Sequence, residues 1–223
     1  NSSVLLRQSP KSPFLLAHRG LAQTFPMEGI TGETNTAQCI YEPEHPYLEN
    51  TIPSIEAAFK AGADIVEFDI QLTRDEQFAV FHDAILEYRT DGVGKISEYT
   101  MEELKTLDVG YGYTADNGKT YPFRGKGIGL MSSLDELMSH FSEESFLIHI
   151  KNNNPYEGEL LAEYLEDLSQ ERLSKLTFYG GDEPIAILKE RIPNIRVMSK
   201  ATMKKALISY MAVGCTGYMP ASM

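Results

Sequence analysis

The sequence predicts an α/β protein on a parallel sheet, a (β/α)8 TIM barrel with a small insertion after its third strand. Three observations predict it. Short apolar runs recur at Phe14–Ala17, Ala63–Val66, Phe78–Phe81 and Phe146–Ile150, the pattern of strands buried on both faces of a parallel sheet. Amphipathic helical stretches separate them; Leu161, Tyr164, Leu165 and Leu168 share one face of a segment at about 157–170. Each run ends on polar residues, as barrel strands do at the rim that carries function. About seven strands can be counted, favouring a barrel over an open doubly wound sheet, and no GxGxxG follows the first run. The chain stops where an eighth strand is due, so the barrel reads as truncated near its last strand. No antiparallel hairpin signal is evident, which makes every connection a right-handed βαβ unit.

In order, a first strand at about 14–17 leads into a long polar segment, Leu21 to Leu48, whose length suggests a lid or binding loop. Asn50-Thr51 opens a helix over Ile52–Ala61, with Pro53 in its first turn and Gly62 closing it. Strands at 64–70 and 78–81 flank the polar turn Thr73–Glu76. Residues 84–130 form an insertion with a glycine-rich turn at Asp91–Gly94. The pairs Thr100/Glu103 and Ser133/Glu136 are capping boxes that start two helices. Beyond the strand at 146–150, strands near 175–179 and 195–198 alternate with helices near 157–170, 183–191 and 202–213. An incipient strand follows at 216–219. All 223 residues read as a single domain.

The hydrophobic share of 42% and charged share of 23% suit an ordinary globular chain. A net charge of −12 argues against nucleic acid, which calls for a basic stripe. It also means that a phosphate-bearing substrate must be met by positive charge built into the site. Cys39 and Cys215 are far apart and form no CxxC, and no apolar stretch approaches the roughly 20 residues of a membrane span. A polar, proline-punctuated start carries no signal peptide. A periplasmic or membrane-associated exterior is favoured over the cytoplasm.

Glu67 and Asp69 are two apart on a strand and leave the same face. They are either a solvated strand end or a hard-metal site suited to Mg2+ or Ca2+. His149 and Lys151 repeat that geometry; His149 is a satisfied core histidine or a site residue, whereas Lys151 lies too near the strand end for core. His18 and His82 are the candidate proton carriers, since imidazole titrates near neutrality. Arg19 offers a planar fork for phosphate oxygens, or a salt bridge to a rim carboxylate. Glu49 and Asn50 precede the first helix on the same side, and Asn50 is its N-cap or a substrate contact.

The succession His18-Arg19-Gly20, Glu49-Asn50-Thr51, Glu67-Phe68-Asp69, His82-Asp83 and Leu86–Gly92 closely resembles the glycerophosphodiester phosphodiesterase family, over about residues 14–151. Tyr99–Leu107 and Ser133–Leu137 are similar to it too. The resemblance implies a metal-dependent barrel hydrolase that converts glycerophosphodiesters to glycerol 3-phosphate and an alcohol. By similarity His18 and His82 are the general acid/base pair and Glu67 and Asp69 hold the metal. Arg19 and Lys151 contact phosphate, and Glu49 lies beside the metal. Residues 84–130 match the family's pocket-capping insertion. In two places the chain departs from the family. His149 stands where the family carries glutamate, which adds an imidazole to the ligand set. That predicts weaker Ca2+ binding and a relative preference for Mg2+, Mn2+ or Zn2+. The long 21–48 loop is expected to alter the alcohol side of the site. Two rival readings are a lysophospholipid or sphingomyelin phosphodiesterase whose loop admits an acyl chain, and a phosphodiester-binding protein that has lost turnover.

Overall fold

A computed structural model describes residues 13–31 and 34–213. Among them lie six strands: β1 (Leu16–His18), β2 (Ile65–Leu72), β3 (Phe78–Val80), β4 (Phe146–Ile150), β5 (Leu176–Gly180) and β6 (Arg196–Ser199). They form one sheet in which β1, β2, β4, β5 and β6 run parallel in that spatial order, while β3 pairs antiparallel with β2. The seven helices among the described residues are α1 (Ile52–Lys60), α2 (Met101–Lys105), α3 (Leu134–His140), α4 (Pro155–Glu166), α5 (Gln170–Ser174), α6 (Asp182–Arg191) and α7 (Lys200–Val213). Strand and helix alternate from β4 onward as expected. The incipient strand at 216–219 and Cys215 fall outside the described residues. None of the described helices is long and apolar enough to cross a membrane.

The β2–β3 pair corrects the expectation of parallel connections throughout. A parallel crossover needs a dozen or more residues, and the 73–77 connection is too short to be one. Instead Thr73 and Gln77 close a tight turn, the Thr73 N–H donating to the Gln77 carbonyl at 2.8 Å, with Glu76 at φ +60. The segment expected as one helix at 157–170 is two, because Ser169 caps α5 by accepting from the Arg172 N–H. Thr51, rather than Asn50, caps α1: its hydroxyl accepts from the Ser54 N–H at 3.3 Å. The capping boxes at Thr100 and Ser133 form as expected.

Two apolar clusters hold the chain. The larger packs Phe68, Phe146, Ile148 and Phe178 of the sheet against Leu161, Leu165 and Leu188 of α4 and α6. The smaller joins Ala37, Ile40 and Leu48 of the 21–48 segment to Leu86, Leu104, Tyr113 and Met131 around the insertion. The polar segment is therefore anchored along its second half. Gln23 ties its first half down, its amide nitrogen donating to the carbonyls of His45 and Tyr47 at 3.0 and 2.7 Å.

Candidate active site

Strand register assembles the site. His18 of β1 lies level with Glu67 of β2, and Asp69 of β2 with His149 of β4 and Tyr179 of β5. Level residues on neighbouring parallel strands share a face, so an acid, an imidazole and a phenol come to stand in one row. The His149 and Tyr179 rings stack, with centroids 4.2 Å apart and planes within 8°. Tyr179 then reaches down one level, its hydroxyl donating to Glu67 Oε1 at 2.7 Å.

Past β1 the chain turns sharply. Arg19 sits at φ +60 and Gly20 at φ +78, and a Cβ on Gly20 would meet the Ser54 hydroxyl at 2.5 Å. Only glycine lets this turn lie so close to α1. The turn aims the Arg19 guanidinium inward, Nη1 donating to Glu49 Oε1 at 2.8 Å and Nε lying 3.3 Å from Asp69 Oδ2.

Asp69, 1% exposed, is the hub. Oδ1 accepts from His149 Nδ1 at 2.8 Å and lies 3.6 Å from Lys151 Nζ, while Oδ2 accepts from Asn50 Nδ2 at 3.1 Å. Asn50 also accepts from the Asp69 N–H at 3.1 Å, so it clamps the strand end. Burial alone would raise the Asp69 carboxyl, but the His149 hydrogen bond and the Arg19 charge hold it well below the usual range. Glu67 goes the other way. Burial and the charge of Asp69 push it up, and no lysine or arginine among the described residues is ion-paired to it. Burial lowers both His18 and His149.

His18 Nε2 lies 3.8 Å from Glu67 Oε2, and the ring is 62% exposed. His82 leaves the end of β3, where the Phe81 N–H donates to the Asp69 carbonyl at 3.0 Å. Its Nδ1 lies 2.8 Å from Asp83 Oδ1. His18 therefore stands against Glu67, and His82 follows directly on the Phe81 backbone bond to Asp69. His82 and Lys151 line a cavity of about 400 Å3 together with Gln71, Ile85, Tyr88 and Asn152. A larger groove of about 600 Å3 between α3 and α4, lined by Asp135, Met138, Tyr164 and Arg172, contains none of these groups. Chemistry rather than volume locates the site.

All nine residues singled out from the sequence meet at this rim. Glu49 is the most altered in setting. Its two oxygens face Arg19 and Arg89, and among the described residues the three-residue cluster that could hold a metal is Glu67, Asp69 and His149, with ligand atoms within 4.8 Å of one another. Sequence reasoning missed Tyr179 and Arg89. Tyr179 could have been found by placing the run Leu176–Gly180 level with β4; no local pattern marks Arg89.

Burial would raise Glu49, but the guanidiniums of Arg89 and Arg19 outweigh it and hold the carboxyl at about 2. A depressed carboxyl stabilises the fold fully above its ordinary value of 4.5, and the contribution drains away as pH falls through 2. The melting temperature of the wild type is therefore expected to drop between pH 4.5 and 2 more steeply than that of Glu49→Gln. Parallel thermal melts over that range check it, and equal slopes would contradict it.

The model of the glycerophosphoryl diester phosphodiesterase family matches residues 18–211. A glycerophosphodiester phosphodiesterase of Bacillus altitudinis is 32% identical over 157 residues, 68% of this chain and 60% of that protein. One of Bacillus subtilis is 34% identical over 122 residues, covering 53% and 39%. Among solved structures, the glycerophosphoryl diester phosphodiesterase domain of an uncharacterized Mycobacterium tuberculosis protein superposes with a TM-score of 0.66 at 18% identity. The match covers 90% of this chain and 65% of that one. An Oleispira antarctica phosphodiesterase, solved with its product sn-glycerol-3-phosphate, gives 0.57 at 26% identity, covering 84% and 65%. The chain thus spans less than two thirds of each of these relatives. With the matched region running from the first rim histidine through α6 into α7, the chain belongs to the glycerophosphoryl diester phosphodiesterase family.

Proposed function

We propose that this chain is a metal-dependent phosphodiesterase that hydrolyses glycerophosphodiesters to glycerol 3-phosphate and an alcohol, with His18 and His82 as the acid/base pair. One observation carries the reading: the His18 imidazole faces the buried Glu67–Asp69 pair, and His82 lines a cavity with Lys151, which lies 3.6 Å from Asp69, with Arg19 at the same rim. One imidazole takes the proton of the attacking oxygen and the other protonates the departing one. The phosphate carries negative charge into a net acidic protein, and Arg19 and Lys151 supply the local positive charge that holds it.

The donor set fits a divalent cation. Glu67 is a buried carboxylate that, among the described residues, no lysine or arginine side chain ion-pairs. Ionised Asp69 can only accept, so His149 carries its proton on Nδ1 and keeps Nε2 as a ligand lone pair. Glu67, Asp69 and His149 would hold the ion, which when bound withdraws charge from the phosphate. Mg2+ and Ca2+ suit the two carboxylates, and the imidazole extends the range to Mn2+ and Zn2+. Because Tyr179 buttresses both His149 and Glu67, Tyr179→Phe is expected to weaken Mn2+ binding by about 10–100-fold, read by titration calorimetry. Unchanged affinity would show that the phenol does not orient the ligands.

The test of the whole reading is release of glycerol 3-phosphate from several glycerophosphodiesters with and without a chelator. Release that is lost on chelation supports it. Binding without release would make the chain a phosphodiester-binding protein, and action only on acylated substrates a lysophospholipid or sphingomyelin phosphodiesterase.

A further inference from the structure

Arg89 follows a short helical turn at Leu86–Tyr88, and its side chain is 3% exposed. No substrate can reach it. A guanidinium buried this deeply is costly unless it is paired, and four separate segments face Arg89, although its Nε has no hydrogen-bond partner. Nη2 lies 3.1 Å from Glu49 Oε2 and donates to Thr36 Oγ1 at 2.9 Å. Nη1 lies 3.1 Å from Asp83 Oδ2, an ion pair off the hydrogen-bond axis. The guanidinium carbon stands 5.5 Å from the centre of the Tyr113 ring.

The carboxylates it holds are the ones that hold the rim. Asp83 turns its other oxygen to His82 Nδ1 at 2.8 Å, and Glu49 turns its other oxygen to Arg19 at 2.8 Å. Charges of alternating sign therefore run unbroken from Asp83 through Arg89, Glu49 and Arg19 to Asp69, with the His82 and His149 imidazoles at the two ends. Arg89 is the third of these seven groups, and it packs against Tyr113 of the smaller apolar cluster.

We propose that Arg89 is a positioning residue for the His82 imidazole: by pinning Asp83 it fixes the ring in one orientation with the proton on Nδ1. An ionised carboxylate only accepts hydrogen bonds, so a fixed Asp83 demands that tautomer and leaves Nε2 as the nitrogen offered to the substrate. Lysine cannot replace the fork, because a single ammonium cannot face Glu49 and Asp83 in the two directions that the planar guanidinium spans. The kinetic part of this rests on the reading of His82 as a proton carrier; the tautomer does not.

The test uses the full chain as Arg89→Lys and Asp83→Asn, with two readouts. Nitrogen-15 NMR of the imidazoles above pH 8 is expected to show wild-type His82 as the Nδ1–H tautomer and both variants as mixtures. Steady-state kinetics on a glycerophosphodiester is expected to show kcat down about 10–100-fold with KM within about twofold. Arg89→Lys and Asp83→Asn combined should lower kcat no further than either alone, because both cut the same link. A His82 tautomer unchanged in a folded variant, or additive losses in the double variant, would overturn the proposal. Should Arg89→Lys fail to fold, Asp83→Asn decides, since it leaves the Arg89–Glu49 pair in place. If the wild type turns over no glycerophosphodiester, the functional reading fails while the NMR still judges the role of Arg89.

Discussion

Replacing His82 by alanine is expected to lower glycerophosphodiester turnover by about 10²–10⁴-fold, the usual worth of a positioned proton-transfer group, while the protein stays folded. The ring is 20% exposed and belongs to neither apolar cluster. Asp83, left without its imidazole, keeps the Arg89 ion pair, so no unpaired buried charge is created. His18→Ala should behave alike, because that ring is mostly in solvent and, among the described residues, its ion-pair partner is Glu67. Initial rates alongside thermal melts check both variants. Near-normal turnover in either folded variant would remove that imidazole from the chemistry.

The two carboxylates between the histidines should respond to neutralisation in opposite directions, although they are two residues apart. In metal-free protein Asp69→Asn removes the anion that faces Arg19, Lys151 and His149, leaving the buried guanidinium short of one partner. Losing one member of such a buried set costs on the order of 3–5 kcal/mol. Glu67→Gln removes a charge that burial and Asp69 already oppose. A raised carboxyl contributes stability fully below its ordinary 4.5 and loses it as pH rises through the raised value. Glu67→Gln should therefore melt at or above the metal-free wild type at pH 7.5, with a gap that opens as pH climbs from 4.5. The same variant should lose metal affinity. Melts in chelator decide it, and a Glu67→Gln protein clearly less stable than wild type would show that the ionised carboxylate is held by something other than a cation. Residues kept for function against stability behave in this way.

The sequence revealed the rim because most of its residues end apolar runs, and strand ends of a parallel sheet converge by construction. Local pattern could say that His18, Glu67, Asp69, His82 and Lys151 share a side. It could not say who pairs with whom. Glu49 reads as a plain rim carboxylate until Arg89, forty positions on, is seen beside it. Asn50 reads as a helix cap, yet its amide spans to Asp69. The hairpin at 73–77 went unread, although no parallel crossover fits so short a connection. Apolar patterning hid it: β3 is buried on both sides and shows no alternation. The 21–48 segment looks free in sequence because its anchors, Ala37, Ile40 and Leu48, are spaced too widely to mark an element.

The central claim is spatial: the imidazoles of His18 and His82 flank one cation-binding hollow. Mn2+ titrated into nitrogen-15-labelled protein tests it without any substrate, because the ion broadens resonances near it. The account predicts early and parallel loss of the His18, His82 and His149 imidazole signals, with His45 and His140 persisting, and no such loss in Glu67→Gln. Broadening that spares His18 or His82 while His149 vanishes would contradict it.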